Sequence, residues 1–502
     1  MRNLGKSCRR RCHNTHLHIE QLESRLVPAN FSWATDSSGF WDNPANWTYS
    51  GGPSTSGVPE AGDNVSIDRG AANPTITIQD VRSVGNLSLS ERLVITGTAT
   101  CAGPWSLNDD NNTVRSTLEI ATGGTLSLQG GSVGGNYSAT FTNSGTIVVG
   151  TGTQTLNGQL LFNQSTGVIS WEDNATLQGN SILVNLGTFL KPAGSGTSSL
   201  TKPWSNRGGT IRVDAGRLEM TSNINDLSGM AFAVAQNATA FVSGFSLANW
   251  SGTISGTGAG TVQFGDANRP ANITLAVTDT NGTRPADATF NFPQGMLHLT
   301  YCSVESAVSQ GSPLGTLTNS GSITFDQTGN QQTRIFNLNL ENSGNIILAN
   351  APGTGMLMQS STINNTGTID INQDSWATSQ YGSTIRNSGL LLKSAGTGVS
   401  TLGGVIMLAG GTVEARSGTL ELQGFGGAPT STGSSFIAAN GATILLTEQH
   451  YLKGTYTGSG LGTVQIGTTD SNYPSAVIRV DPTGASFNFG DGLLHFVKGS
   501  IY

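Results

Sequence analysis

Three groups of acidic residues are the first candidates for chemistry in this sequence. They are Asp109-Asp110, Glu172-Asp173 and the run Asp370-x-Asn372-x-Asp374. Neighbouring carboxylates can act as general acid and base, and alternating Asp and Asn oxygens are ligands that Ca²⁺ prefers. Adjacent residues of a strand point to opposite sides, however, and the third run lacks the Gly and Glu of an EF-hand loop. We therefore predict solvated outer faces here, with no catalytic residue and no metal site.

Two histidines and two lysines occupy matching places in the sequence. His298 and His495 each end a Gly-x-Leu-His segment, and Lys191 and Lys393 each stand four residues after a turn glycine. A duplicated position favours a structural role, so we predict that none of the four is catalytic. An apolar residue is expected where each lysine stands. The strand is therefore predicted to end one residue earlier, or the coil register to change.

The cysteines do not form a disulfide framework. Cys101 and Cys302 are far apart and are predicted to be small buried residues. The N-terminal tail could offer thiolates and imidazoles to zinc, but no second ligand pair follows at zinc-finger spacing, so we expect no cofactor. Those tail residues are Cys8, Cys12, His13, His16 and His18.

Residues 31–90 open with aromatic side chains. Trp33, Trp41 and Trp47 are the candidates for glycan contact, because an exposed aromatic face can stack on a sugar ring. The alternative is structural. A solenoid end exposes unpaired strand edges and open core, and these indoles would fill the core of an N-terminal cap. We expect the cap, and keep glycan contact as the second interpretation.

The elements that position these residues are short strands with a fixed repeat. Turn glycines recur every 22 or 23 residues between Thr318 and Gly411. The second and fourth residues after each glycine are mostly apolar and are predicted to point inward. The first four turns read Asn-x-Gly, and the fifth, Gly410-Gly411, has Gly in place of Asn. The asparagines are expected to hydrogen-bond from coil to coil and the glycines to permit positive φ. Those glycines are Gly321, Gly344, Gly367, Gly389 and Gly411.

This period predicts an all-β, right-handed parallel β-helix (β-solenoid) of about 20–23 residues per coil and about 19 coils. The same turns occur earlier, at Asn143-Ser144-Gly145, Ser165-Thr166-Gly167, Asn185-Leu186-Gly187 and Asn206-Arg207-Gly208-Gly209.

A longer repeat is superimposed on the first. Gly260–Gly265 matches Gly462–Gly467, and Asn143 matches Asn319. We predict a sorting segment over 1–30, a cap over 31–90, and a solenoid over 91–502. The solenoid contains a duplicated block, about 143–305 and 319–502, whose second copy is one coil longer. Insertion of whole coils would leave neighbouring contacts unchanged.

Composition excludes several classes of protein. Charged residues make up 11% of the chain, against about 25% in typical globular proteins. The net charge is −7, of which residues 1–25 contribute +4, so the remainder carries −11. Such a body has no basic footprint for nucleic acid. No apolar run approaches the roughly 20 residues of a transmembrane helix.

The N-terminal segment ends in Leu22-Glu23-Ser24-Arg25-Leu26-Val27-Pro28-Ala29. It resembles the Arg-rich N-termini with a Leu-Glu-x-Arg-x-x-Pro-Ala pattern found on large planctomycete proteins. The resemblance implies an extracellular or cell-surface destination. The segment lacks the apolar core of a standard secretory signal.

The Asn-x-Gly-x-Ile ladder resembles the repeats of filamentous-haemagglutinin-type adhesins and autotransporter passenger domains. That resemblance implies a non-enzymatic structural or adhesive solenoid, with extracellular polysaccharide or cell-surface components as partners. The alternatives are a carbohydrate-active β-helix enzyme (polysaccharide lyase or hydrolase) and a carbohydrate-binding module. An enzyme would need acids from three or more neighbouring coils along one flank.

Overall fold

Short strands with alternating burial build most of the described structure. In Thr146–Val149, for example, Ile147 and Val149 are buried while the residues between them face outward. The strands stack in parallel into a β-solenoid of about 17 turns with about 23 residues per coil. The structure is a computed structural model that describes residues 28–502 except 53, 55, 109–114, 137, 223, 276–286, 307–313, 327–332, 350, 428 and 472–474.

The first face is a 22-stranded sheet. Its one antiparallel pair in the described residues joins the first two strands at the N-terminal end. Its strands are Ala29–Trp33, Trp47–Gly51, Asn64–Ile67, Asn86–Leu89, Pro104–Leu107, Ser132–Gly135, Gly152–Asn157, Ala175–Gln178, Thr197–Leu200, Arg217–Met220, Thr239–Val242, Thr261–Phe264, Leu297–Leu299, Ser322–Phe325, Asn345–Leu348, Thr368–Ile371, Leu390–Lys393, Thr412–Ala415, Ser434–Ala438, Gln449–Gly460, Ala476–Phe489 and Gly499–Ile501.

The second face belongs to a 34-stranded sheet that also covers the third face, because the strand Gly244–Thr257 continues around the corner between them. The other strands of the second face are Gly39–Phe40, Thr75–Ile78, Arg92–Ile95, Thr117–Ile120, Thr140–Asn143, Leu160–Asn163, Leu183–Asn185, Trp204–Arg207, Ile224–Ser228, Ala271–Leu275, Cys302–Ser306, Thr333–Phe336, Gly355–Gln359, Trp376–Gln380, Val399–Gly403, Thr419–Gln423, Thr443–Thr447, Thr463–Ile466 and Leu494–Phe496.

The third face completes each coil. Its other strands are Val81–Val84, Thr98–Cys101, Thr125–Leu128, Thr146–Val149, Val168–Trp171, Thr188–Lys191, Thr210–Val213, Ala231–Val234, Ala288–Asn291, Gly315–Asn319, Leu338–Asn342, Thr362–Asn365, Thr384–Asn387 and Val405–Leu408.

Helix is almost absent from the described residues. Two short 3₁₀ turns, Pro44–Asn46 and Gly70–Ala72, lie near the N-terminal end. No helix in the described part of the chain is long and apolar enough to cross a membrane. The predicted all-β solenoid and its coil length are therefore confirmed, with about 17 turns instead of 19. Loops that lengthen individual coils, such as 265–270, account for part of that difference.

The Asn-x-Gly ladder has its predicted geometry. The amide nitrogen of Asn319 donates to the amide oxygen of Asn342 at 2.7 Å, and the chain of bonds continues through Asn365 to Asn387. All four asparagines are buried. Each buried amide is thus paired with the coil above or below, which offsets the cost of removing it from water.

The earlier ladder differs from the prediction at one coil. Its member there is Asn163 and not the predicted turn Ser165-Thr166-Gly167, because Asn163 lies in register with both Asn143 and Asn185. Asn143 donates to Asn163, and Asn163 to Asn185, each at 2.7 Å. The turn in this coil is two residues longer than its neighbours, so the Asn-x-Gly spacing is absent from the sequence.

The ladder glycines are required for a different reason from the one predicted. Gly344, Gly367 and Gly389 do not have positive φ. A Cβ atom on Gly344 would lie 2.0 Å from the carbonyl oxygen of Gly321, and the others would meet the coil below at 2.1 and 2.2 Å. Close contact between coils, and not backbone handedness, therefore excludes a side chain at these corners.

The two copies of the long repeat lie on different faces. Thr210–Val213 of the third face corresponds to Thr412–Ala415 of the first, and Thr261–Phe264 of the first corresponds to Thr463–Ile466 of the second. The second copy is thus displaced by one face, so the repeat is not a whole number of coils. Because each face supplies a short strand with the same inward spacing, the core accepts this displacement.

Candidate functional site

The three candidate tryptophans lie inside the N-terminal end of the solenoid. Trp33, Trp41 and Trp47 expose 2%, 0% and 6% of their surface. The Trp47 ring lies edge-on to both others, with centroids 5.0 and 4.8 Å apart, and its indole nitrogen donates to the Trp41 carbonyl at 2.8 Å. They form the core of the predicted aromatic cap. Their burial leaves no ring face on which a sugar could stack.

The acids Glu172 and Asp173 diverge after the strand Val168–Trp171. Glu172 accepts a hydrogen bond from the backbone nitrogen of Thr151 at 3.1 Å. Asp173 accepts one from Lys191 at 2.8 Å and another from the Gly196 nitrogen at 3.0 Å. The Lys191 hydrogen bond holds the pKa of the Asp173 carboxyl below its usual range. Glu172 and Asp173 therefore form two separate structural contacts and do not act together.

Lys191 and Lys393 are fully buried, and here the prediction was wrong. The strands Thr188–Lys191 and Leu390–Lys393 include both lysines, and their register continues unchanged into the next coil. The lysines thus occupy inward positions. Each lysine side chain extends from the core to the corner of its coil, where the ammonium forms an ion pair with a carboxylate.

The second lysine has equivalent partners on another face. Lys393 donates to Asp374 at 2.8 Å and to Ser400 at 2.7 Å, and the Gly398 nitrogen donates to Asp374 at 3.0 Å. A Cβ atom on Gly396 would lie 2.2 Å from that carboxylate. The shared sequence Lys-x-Ala-Gly-x-Gly-x-Ser therefore encodes a loop that closes over a buried lysine–aspartate pair, which we call the lysine clamp.

A third buried lysine has a different environment. Lys202 is fully buried and donates to the hydroxyl of Ser181, which is also buried. The Ser181 hydroxyl donates in turn to the Leu156 carbonyl at 3.1 Å. Among the described residues Lys202 forms no ion pair. Burial lowers the pKa of its ammonium to about 7. The equivalent position in the second copy is Gly404.

The two candidate histidines also differ. Nδ1 of His298 lies 2.7 Å from the Asp326 carboxylate, which also accepts a hydrogen bond from Thr300. Asp326 raises the pKa of His298. His495 keeps only the contact of its Nε2 with the Gly492 carbonyl, at 2.8 Å. Within the described structure, only the first histidine is therefore paired with an acid.

The sequence gives no signal for a charged cluster near His298. Phe241, an outward residue of the first face, is covered by the guanidinium groups of Arg217 and Arg269, each 4.3 Å from its ring centre. Arg269 also pairs with Glu219 and Asp266 at 2.8 and 2.7 Å. Glu219 and Arg269, for example, are 50 residues apart in the chain, so only the register of the coils brings these side chains together.

The calcium candidate does not form a site in the described residues. Asp374 belongs to the lysine clamp, and Asp370 is half-buried in register with outward Ile347 and Leu392. No group of three His, Cys, Asp or Glu side chains within the described ranges is placed to hold a metal. Asp109-Asp110 and the tail residues Cys8, Cys12, His13, His16 and His18 lie outside the described residues. Cys101 and Cys302 are buried and free.

A groove of about 450 Å³ runs across the outer side of the first face at its first coils. It carries no charged residue in its described lining. Serine hydroxyls from successive coils stand in register along it: Ser32, Ser66, Ser88 and Ser106.

Asparagine amides form a second column beside these hydroxyls. Asn64 donates to Asn30 at 2.9 Å, and Asn86 donates to Asn64 at 2.7 Å. Asn108 donates to Ser88 at 3.0 Å. Each amide retains further donors or acceptors for an outside partner. The groove is therefore an ordered, uncharged hydrogen-bonding surface with the period of the coils.

A second concavity, of about 540 Å³, lies on the outer side of the second face. Its lining combines one cation, two hydroxyls and apolar side chains: Arg115, Ser138, Ala139, Thr140, Leu160 and Phe162. We call it the Arg115 pocket.

No protein-family model matches the chain, and no curated protein matches it.

Proposed function

We propose that this chain is a non-enzymatic adhesive or structural solenoid that acts outside the cell and binds extracellular polysaccharide or cell-surface components. The observation that carries the proposal is the uncharged groove of the first face. Its serine and asparagine columns repeat at the coil spacing of about 4.8 Å. A sugar unit of an extended polysaccharide has nearly the same length, so successive hydroxyl groups of one chain can meet successive coils.

The proposal also draws on the shape and charge of the body. A stack of about 17 coils offers long, flat outer faces. The few charges, 11% of residues, suit a surface that recognises neutral hydroxyl groups and not the dense phosphate charge of DNA. The resemblance of the N-terminal segment to sorting segments supports the extracellular location.

Binding of the full chain to insoluble neutral polysaccharides, such as cellulose and chitin, tests this proposal. The double variant Ser66→Val/Ser88→Val removes two hydroxyls from the groove and introduces β-branched residues that strands accept. We expect binding to fall about tenfold, since two hydrogen bonds are lost. The matched control Thr146→Val/Ser170→Val changes the outer side of the third face and should bind as the unaltered protein does. Equal binding by both double variants would contradict a role for the groove.

A carbohydrate-active enzyme is the second candidate. It is favoured by the acids Glu219, Asp266 and Asp326, which lie on one flank in separate coils. In the described structure each of these carboxylates pairs with an arginine or a histidine. Release of reducing ends from a polysaccharide, abolished by Asp326→Asn, would favour the enzyme over the adhesive solenoid.

A further inference from the structure

The Arg115 pocket has a composition unlike the neutral groove. It lies on the second face, across the strands Thr117–Ile120, Thr140–Asn143 and Leu160–Asn163, which pair in register. Leu160 and Phe162 are outward residues of the last of these strands and remain partly exposed. The pocket therefore has an apolar floor on the outside of a solenoid, where polar residues are usual.

Arg115 is an exposed cation without a carboxylate partner in the described structure. The guanidinium groups of Arg92, Arg212 and Arg416, for example, each pair with an acid at 2.5 to 2.8 Å. Arg115 forms no such ion pair with any residue in the described ranges. The acid on the strand that follows Arg115, Glu119, pairs with Arg92. The charge of Arg115 is thus available to an outside anion.

The other lining residues complement a sugar ring. The ring of Phe162 offers an apolar face to the carbon–hydrogen side of a pyranose. The hydroxyls of Ser138 and Thr140 offer donors and acceptors to the sugar hydroxyls. The guanidinium presents a planar pair of N–H donors that fits a carboxylate with two parallel hydrogen bonds.

We propose that the Arg115 pocket binds a carboxylate-bearing sugar, a uronic acid unit of an extracellular polysaccharide. This inference rests on the proposed polysaccharide-binding function and adds a second, chemically distinct subsite to it. Arg115 pairs with the carboxylate, Phe162 stacks on the ring, and Ser138 and Thr140 bind hydroxyl groups. The neutral groove and this pocket then recognise different parts of a mixed polysaccharide, or two different polysaccharides.

Calorimetric titration of the full chain with an alginate hexamer, and with maltohexaose as the neutral probe, tests the proposal. Arg115→Gln keeps an unbranched polar side chain and removes the charge. We expect it to weaken alginate binding roughly tenfold or more, as a charge-assisted bidentate contact is lost. Arg115→Lys should recover only part of the affinity, because an ammonium cannot form the two parallel bonds.

Two further variants separate the pocket from general effects. Phe162→Ala should weaken alginate binding while leaving the fold intact, since its side chain is outward. Arg386→Gln removes an exposed arginine of the third face whose Nε contacts the Met407 sulfur and no acid, and should leave binding unchanged.

The outcomes distinguish this inference from the function on which it rests. If the unaltered chain binds cellulose or chitin but not alginate, or if Arg115→Gln binds alginate as well as the unaltered chain, the uronic acid subsite is wrong and the adhesive function stands. If the unaltered chain binds no polysaccharide at all, both fail. Loss of alginate binding in Arg115→Gln alone, with Arg386→Gln unaffected, supports the subsite.

Discussion

The two copies of the long repeat share their buried polar side chains and differ in other side chains that occur in one copy only. Both contain a buried asparagine ladder and a lysine clamp, although the second copy lies one face further around the solenoid. The clamp is thus independent of the face that carries it. This indicates that the asparagines, the clamp and the corner glycines belong to the architecture of the stack.

The differences between the copies lie elsewhere. Lys202 of the first copy corresponds to Gly404, and His298 with Asp326 corresponds to His495 without an acid. The serine groove precedes both copies in the chain, and the Arg115 pocket spans the start of the first copy, from Arg115 to Phe162. Since the second copy stacks without these features, the fold does not require them. Recognition is therefore to be sought among such unrepeated residues.

The largest expected effect comes from Lys202, the buried lysine without a carboxylate. Its folded-state pKa of about 7 lies below the ordinary 10.5. Between these values the unfolded chain binds the proton and the folded chain does not, so stability rises as pH rises from about 7 to 10.5. A shift of this size corresponds to at most about 5 kcal/mol.

Lys202→Met should remove that pH dependence and stabilise the protein at pH 7. The measurement is the urea midpoint by circular dichroism at pH 7 and pH 9.5, with the unaltered chain as reference so that other titrating groups cancel. Lys393→Met is the control. It also removes a buried lysine but leaves Asp374 without its ion-pair partner, so it should not stabilise the protein. A pH slope that survives in Lys202→Met contradicts a neutral buried Lys202.

A smaller and opposite effect is expected from the lysine clamp. Asp374→Ala leaves Lys393 buried with only Ser400 as a partner. We expect a loss of about 3 kcal/mol, the lower end for a broken buried pair because Asp374 is partly exposed. Glu414→Ala breaks the surface pair with Arg416 and should cost below about 1 kcal/mol. Equal urea midpoints for the two variants would show that the clamp is only a surface pair.

The smallest effect belongs to His298. Its raised pKa means that the contact with Asp326 stabilises the folded chain fully at acidic pH, and that this contribution is lost as pH rises above the ordinary 6.5 through the raised value. Because both side chains are partly exposed, we expect below about 1 kcal/mol. His298→Gln should lower the melting temperature at pH 6 but not at pH 9. His495→Gln should show no such difference between the two pH values.

The sequence was sufficient to predict the solenoid because the inward residues obey a strict period. Ile323, Ile346 and Ile369 follow their turns at one spacing and are all buried as expected. The prediction failed where an inward position carries an unusual residue. At Lys191 the sequence predicts a strand that ends one residue earlier, or a change of coil register, since only the structure reveals that its ammonium reaches Asp173 at the corner. The sequence did not identify Asn163 as a member of the ladder, because its turn is two residues longer and lacks the Asn-x-Gly spacing.

The outer sites could not be predicted from sequence spacing. Arg115, Thr140 and Phe162 come from three coils, and nothing in the order of residues shows that they share one concavity. Their proximity depends on the register between coils and on which face each strand occupies. A repeat that advances by one face makes that register harder to infer, because equivalent residues of the two copies do not share a surface.

The central structural claim is that both copies belong to one continuous stack. Seven successive parallel pairings of the third face separate Arg212 from Arg386. Nitroxide labels on Arg212→Cys and Arg386→Cys, in a Cys8→Ser/Cys12→Ser background, allow their distance to be measured by double electron–electron resonance. Cys101 should not react, because burial raises the pKa of its thiol to about 12; Cys302 is buried likewise. One narrow distance of about 36 Å is expected, because seven rises of about 4.8 Å give about 34 Å along the stack and the register places the two residues about four positions, roughly 13 Å, apart along the strand. A broad distribution, or a narrow one displaced by more than about 10 Å, two coil rises, would contradict the continuous stack.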